Sequence, residues 1–459
     1  MNQWGGINNY REILRVAIPV SLESVFQASF TLVDQLIVGV LGATAVAAVG
    51  LSNGVSFIIA LLYSAIGTGS GVIVAQAFGR QDMKAVSKVA TLGQIMAAVF
   101  GGCTALPLML FPAVILRAVG AQGDLVGVAS GYFQLFAASM PMTVTSAVTA
   151  ATFRSLSDAR TPMVITMAAV ILNTLLALLL VLGLGPFPKL GVIGAGLASL
   201  ISQAARCLGL LVALYHRKRC IRWCWPGLGK ATREIARPLF EITYPIALSE
   251  MLWGTSTFIY TIVFTRLGTA ALASSQIVMT IENLFIVAAA GLPPAAVASI
   301  GQAIGEGSWR HAKKQAGLVL RLGVIVGLGF GAALMVASFL LPVLYPRVGK
   351  DVVHLAFWGI SITACVQVAK VLNNILGNGI LPSGGDTKFV LLTHVIGSYA
   401  AGLPAALLLG IVARLGAQSV FAARALEEVL KMFIFLLRYR TPSWYRKSMN
   451  RPAAASSKP

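Results

Sequence analysis

Four acidic side chains lie inside the long apolar stretches that precede the last one in this sequence, where an ionised group needs a specific reason to be present. They are Glu23, Asp34, Glu250 and Glu282. A charged side chain at the centre of a lipid bilayer costs roughly 2.5–3.5 kcal/mol on insertion scales. Burial among apolar groups favours the protonated form of a carboxyl, so that it can take up and release a proton near neutral pH. These residues therefore predict proton or cation exchange inside a membrane.

Asp34 is the main candidate for this chemistry. It lies between Val33 and Gln35, and further apolar residues follow. The alternative is a carboxylate that only bonds a neighbouring helix. Glu23 lies 11 residues earlier, which is three helical turns and roughly 16 Å along one helix face. The two carboxylates could mark the ends of one polar path beside Gln35, whereas a structural hydrogen bond near the cytoplasmic end is the alternative for Glu23.

The polar residues of the second half leave alternatives open. Glu250 and Glu282 either contact an ion or a cationic substrate, or form buried bonds to a neighbouring helix. Lys370 either neutralises one of these glutamates or extends its amine towards the cytoplasmic face. His394 either titrates near physiological pH or packs as a satisfied neutral histidine.

The last apolar stretch carries its charges in a helical pattern. Arg424, Glu427, Glu428 and Lys431 have the i,i+3 and i,i+4 spacings that place side chains beside one another on a helix. This pattern predicts ion pairs within that helix rather than a transport site.

The elements that would position these residues are membrane-spanning helices. Only 11% of the residues are charged and the mean hydropathy is +0.83, which is outside the range of soluble globular proteins. Stretches of about twenty apolar residues are long enough to cross a hydrocarbon core of roughly 30 Å. We therefore predict an all-α polytopic membrane protein with twelve spans, near residues 15–41, 45–77, 88–115, 127–152, 162–184, 192–215, 241–265, 271–303, 315–342, 352–376, 389–412 and 418–437.

The sequence is an internal repeat. Residues 19–90 align without a gap on residues 245–316, an offset of 226 positions that pairs Pro19 with Pro245. Repeats of this length in an apolar chain are typical of transporters built from two similar bundles. We predict one lobe over 1–225, a second over 226–445 and a cytoplasmic tail over 446–459. The repeat partner of Asp34 is Tyr260, so this carboxylate belongs to one lobe only. Tyr260 itself is a candidate for substrate binding or for the polar path, as are Lys370 and His394.

The net charge of +20 is explained by the orientation of the spans. Basic residues concentrate in the loops that face the cytoplasm if both termini lie inside, as the positive-inside rule requires. We therefore expect a multi-pass protein of the bacterial plasma membrane, in contact with lipid rather than with nucleic acid. No metal-binding, protease or phosphate-cradling motif is present in the sequence, so we expect no enzyme activity, no metal and no cofactor.

Several short motifs lie in the first span, at the first turn and at the helix ends of the first half and its repeat, and a further one lies in the loop after the tenth span. They are Val33-Asp34-Gln35, Val38-Gly39, Leu41-Gly42, Ala47-Ala48-Val49-Gly50, Leu267-Gly268, Gln76-Ala77, Gln302-Ala303 and Gly385-Asp386-Thr387-Lys388. In combination they resemble the motifs of multidrug and toxic compound extrusion (MATE) transporters.

The resemblance implies a fold of two pseudo-symmetric six-helix bundles in a V shape, and a monomeric antiporter that exports small organic compounds. It implies a functional role for Asp34, with Asn173 beside it, and for a glutamate near Glu250. Many members carry a second aspartate where this chain has Ala177. This departure favours protons as the coupling ion, with sodium as the alternative, because sodium needs several oxygen ligands.

A flippase or exporter of a lipid-linked sugar or metabolite is the competing function within the same architecture. Such a protein is expected to line its cleft with several Arg or Lys residues for phosphate. This chain places few cations deep inside its predicted spans, which favours amphipathic or cationic cargo.

Overall fold

The computed structural model of the protein describes residues 5–184, 186–217, 221–224 and 230–445. These residues form helices, turns and short connections, with no strand among them. The predicted tail, 446–459, and parts of the basic connector, including Trp225 and Pro226, lie outside the described residues. The prediction of an all-α protein is confirmed for the part of the chain that the structure describes.

The chain folds into two compact units, each with its own hydrophobic core. One unit comprises Ile18–Leu239, and the other comprises the described residues before Ile18 together with those from Phe240 onward. The helices up to the end of the first unit are α1 (Gly5–Gly39), α2 (Ala43–Gly79), α3 (Met83–Leu110), α4 (Pro112–Ala118), α5 (Asp124–Ser155), α6 (Arg160–Leu182) and α7 (Val192–Val212). A π-helical segment, Ala213–Arg217, extends α7.

The helices of the second unit include several breaks and π-helical segments. They are α8 (Lys230–Arg266), α9 (Thr269–Ala289), α10 (Leu292–Gly305), α11 (Trp309–Leu344), α12 (Lys350–Cys365), α13 (Gln367–Ile375), α14 (Leu381–Ser383), α15 (Thr387–His394), α16 (Leu403–Ala406) and α17 (Ala417–Arg440). The π-helical segments are Leu376–Ile380, Val395–Gly402 and Leu407–Val412. Such segments occur frequently at functional sites.

The sequence repeat reappears in the structure as matching turns. Gly42 and Gly268, 226 positions apart, precede α2 and α9 with φ values of 100° and 109°. Residues that carry a side chain rarely adopt this backbone conformation, so both turns require glycine. Asp82 and Ser308 have the same offset, and each caps a helix by accepting a hydrogen bond from the backbone N–H three residues on. The repeat therefore preserves the turns between helices.

Most of the predicted spans coincide with helices that could cross a membrane. Among the described residues, ten helices are long and apolar enough, and α12 with the helical stretch Gln367–Ser383 makes an eleventh if this bent pair counts as one span. The twelfth predicted span, 418–437, lies on α17, but this helix does not have the composition of a simple apolar span. It carries the charged residues Arg424, Glu427, Glu428 and Lys431. Glu427, Glu428 and Lys431 form a polar network in the folded unit.

Close packing of α3 against α5 organises the core of the first unit. A Cβ atom added at Gly101 would lie 2.6 Å from the Cα atom of Pro141, on the backbone of α5. Backbone cannot move aside as a flexible side chain can. The two helices therefore approach at a position that only glycine can occupy without a shift.

We expect Gly101→Ala to lower the stability of the first unit by about 1–3 kcal/mol, as overpacking of a core does. Thermal unfolding in detergent would measure the change. Gly102→Ala is the matched control, because a Cβ atom at the adjacent Gly102 would meet no atom within 4 Å and alanine favours the helix. Equal melting temperatures for the two variants would contradict this account of the packing.

Candidate functional site

Asp34 on α1 is held by two consecutive residues of α6. Asn173 Nδ2 donates a hydrogen bond to Asp34 Oδ2 at 2.6 Å, and Thr174 Oγ1 donates to Asp34 Oδ1 at 3.1 Å. Ser202 Oγ on α7 in turn donates to Asn173 Oδ1 at 3.2 Å. Three helices therefore fix the position of one carboxyl group, and the expected proximity of Asn173 to Asp34 is observed.

This carboxyl group faces a cavity of about 250 Å³ in the first unit. The cavity is also lined by Gln35 and Tyr132, and by Ala177, where the resemblance implies a second acid. Within the described residues, no basic group lies within ion-pair distance of Asp34. Asp34 is therefore a half-buried acid whose observed partners are neutral.

Glu23, on the same helix, has a different environment. It is 2% exposed, and its Oε2 accepts a hydrogen bond from Arg154 at 2.8 Å. Arg206 lies 3.6 Å from its other oxygen and also lines the Asp34 cavity. Two guanidinium groups thus neutralise one buried carboxylate. The side chain of Arg206 is 16% exposed and is directed to Glu23.

The second unit contains a cavity of about 220 Å³ that collects most of the polar residues predicted there. Glu250 of α8 lines it, and so does the neutral side chain of Asn378. His394 lines it too, and its Nδ1 is buried without a hydrogen-bond partner among the described residues. Among the residues that the structure describes, no basic group lies within salt-bridge distance of Glu250. Glu250 therefore shares with Asp34 the property of a partly buried acid without a basic partner.

Glu282 of α9 is paired across the unit. Lys370 Nζ on α13 contacts Glu282 Oε1, and Arg424 on α17 lies 3.9 Å from Oε2. Of the two arrangements considered for Lys370, the structure has the salt bridge to a glutamate. All three side chains line the same cavity as Glu250.

Glu427 of α17 lies at the centre of a buried polar network. Lys431 contacts Glu427 and lies 3.9 Å from Glu428, which are the intrahelical pairs that the spacing predicts. The network also extends to other helices, because Tyr260 and Ser398 each donate a hydrogen bond of 2.6 Å to Glu427. Tyr260, the repeat partner of Asp34, is therefore a hydrogen-bond donor to a carboxylate of another helix.

Several contributors to these sites were not found from the sequence. Thr174, Ser202 and Arg154 are ordinary polar residues whose partners lie 29 or more positions away. The only local signal is that Thr174 directly follows Asn173, so both can reach the same carboxyl group. The remaining contacts depend on how the helices pack.

The family model MatE matches residues 19–179 and again residues 245–408, so it matches twice at the offset of the internal repeat. The chain belongs to the MatE family. This assignment confirms the resemblance seen in the short motifs. It also identifies the protein as a multi-pass membrane transporter and not an enzyme.

Relatives of this MatE protein extend over nearly its whole length. The probable multidrug resistance protein NorM of Thermotoga maritima is 24% identical over 96% of this chain and 94% of its own. NorM of Bradyrhizobium diazoefficiens is 26% identical over 94% of this chain and 93% of its own. The solved structure of the Vibrio cholerae MATE transporter VcmN in the bent form covers 96% of this chain and 98% of its own, with a TM-score of 0.86 at 18% identity. At that identity the structural likeness shows the fold alone.

Proposed function

We propose that this MatE protein is a secondary active antiporter that exports amphipathic or cationic organic compounds in exchange for protons. The names of its relatives, which are probable multidrug resistance proteins, support the type of cargo. We further propose that the chain acts as a monomer in the bacterial plasma membrane, with both termini in the cytoplasm, by alternating access to the two sides. The charge distribution of the loops supports that orientation.

The observation that carries the proposal is the environment of Asp34. Its carboxyl group faces a cavity and contacts Asn173 and Thr174, which are both neutral. A hydroxyl group and a side-chain amide can donate to a carboxylate and can also accept from a protonated acid. The site is therefore suited to both protonation states, as proton uptake and release require.

The surroundings of Asp34 favour a proton over sodium as the coupling ion. Both oxygens of Asp34 already accept hydrogen bonds, and Asn173 Oδ1 accepts one from Ser202. Ala177, which lines the cavity, adds no oxygen ligand. Sodium, a hard cation, would need several oxygen ligands, whereas a proton needs only the carboxyl group itself.

The charges of the second unit support organic cations as cargo. Glu250 lines a cavity of about 220 Å³ without a basic partner in the described residues, so it can receive a positively charged group. The basic side chains of that cavity, Lys370, Arg424 and Lys431, each lie within 4.0 Å of a glutamate oxygen. They are therefore occupied, and phosphate recognition by a lipid-linked cargo is less well supported.

Reconstitution into liposomes tests the coupling ion. We expect a fluorescent organic cation to move across the membrane when a pH gradient is imposed, and not when a sodium gradient is imposed at equal pH on both sides. Protein-free liposomes provide the baseline for passive leakage. Transport that follows the sodium gradient alone would overturn the proton assignment and leave the export of organic cations intact.

A further inference from the structure

Lys370 is a basic side chain held deep in the second unit against one carboxylate. Its Nζ contacts Glu282 Oε1, and the two side chains are only 10% and 3% exposed. Arg424 lies 3.9 Å from the other oxygen, Oε2, so Lys370 is the nearest basic partner of Oε1. A buried carboxylate is strongly destabilising unless a positive charge compensates it. Lys370 therefore supplies to Glu282 the charge that a bound cation would otherwise supply.

Buried amide oxygens without hydrogen-bond partners among the described residues line the same cavity, although Asn373 Nδ2 donates to Glu428. Gln367 is 1% exposed, and within the described residues neither its Oε1 nor its Nε2 has a hydrogen-bond partner. The Oδ1 atom of Asn373, a residue that is 8% exposed, also has none there. Gln367, Lys370 and Asn373 follow one another at intervals of three along α13, so they share one helix face. All three line the cavity with Glu282.

Such amide oxygens point to a cation site. Buried polar atoms without partners are rare in folded proteins, and oxygen atoms are the ligands that hard cations take. The helix is also broken directly before Gln367, where α12 and the helical stretch Gln367–Ser383 are bent by 53° relative to each other. Broken helices within a membrane frequently form ion sites in transporters.

We propose that Lys370 is a tethered cation that occupies the place of a monovalent metal ion on Glu282. This rests on the proposed function, because it explains how the second unit of an antiporter can dispense with sodium at Glu282. A tethered ammonium group loses no translational freedom on binding, so free sodium does not displace it at ordinary concentrations. Removal of the amine leaves Glu282 Oε1 with the amide oxygens of Gln367 and Asn373 as an oxygen-lined site for Na⁺.

Thermal unfolding of the full-length chain in two salts tests this assignment. In choline chloride we expect Lys370→Met to melt below the wild type. Replacing choline by Na⁺ should raise the Tm of this variant by about 2–4 °C, because an ion that binds only the folded state stabilises the folded protein. The wild type and Lys370→Arg should show no difference between the two salts.

A second variant assigns any sodium effect to Glu282. Lys370→Met combined with Glu282→Gln should be insensitive to Na⁺, because the carboxylate ligand is gone. A folded Lys370→Met protein without a sodium effect would overturn the proposal, as would a sodium effect that persists in the double variant. If neither Lys370→Met nor Lys370→Ala is recovered folded in Na⁺ buffer, the proposal is also wrong, since Na⁺ should replace the amine. The measurement needs no transport, so failure of proton coupling at Asp34 is detected separately.

Discussion

Replacing Asp34 by asparagine is expected to abolish proton-coupled export while the protein stays folded. The amide is close in size to the carboxyl group, so the bonds to Asn173 and Thr174 can re-form with donors and acceptors exchanged. An amide cannot release a proton near neutral pH, so uptake and release stop. We expect substrate-driven proton flux to fall at least about 100-fold, as removal of a group essential for proton transfer does. A pH-sensitive dye inside proteoliposomes would measure the flux.

The control for this variant is Asp351→Asn. Asp351 is an exposed acid in the first turn of α12, and the same chemical change there should leave the flux at the wild-type level. Equal melting temperatures of wild type and Asp34→Asn would establish that the fold is retained. Undiminished flux in a folded Asp34→Asn protein would eliminate Asp34 as the coupling residue.

The sequence was sufficient to predict most of the helices and to select the acidic candidates. A carboxylate within an apolar stretch is conspicuous because it is costly there, so Asp34 and Glu250 could be selected without a structure. The repeat also predicted the positions of turns, since Gly42 and Gly268 recur at a fixed offset and both adopt a backbone conformation that requires glycine. Hydropathy also located α17, although the charges of that helix reduce its apolar character.

The partners of the buried charges could not be predicted in the same way. Lys370 and Glu282 are 88 positions apart, and Arg154 and Glu23 are 131 positions apart. No local pattern links residues at such separations, because their contact depends on how whole helices pack. Spacing alone therefore left both a salt bridge and an extended amine open for Lys370. For Lys431 the intrahelical spacing predicted the pair with Glu427. It did not predict that Ser398, on another helical segment, also donates a hydrogen bond to Glu427.

Lys431→Met is expected to be among the most destabilising single changes in the second unit. Lys431 is 2% exposed and its ammonium contacts Glu427, which is 3% exposed. Removing one partner of a buried ion pair leaves the other charge uncompensated, which costs about 3–5 kcal/mol. Tyr260 and Ser398 still donate hydrogen bonds to Glu427, so we expect a loss at the lower end of this range. Unfolding in a denaturing detergent would measure the change in the free energy of unfolding.

The double variant Glu427→Gln with Lys431→Met separates the charge from the shape of the side chain. Without the carboxylate there is no uncompensated charge, so most of the lost stability should return. Arg440→Met on the same helix is the control, because Arg440 is exposed and such a change should alter stability by no more than about 0.5 kcal/mol. If the double variant were as unstable as Lys431→Met, the packing of the long side chain rather than its charge would stabilise α17. The network around Glu427 would then be a consequence of the helix packing and not a cause of it.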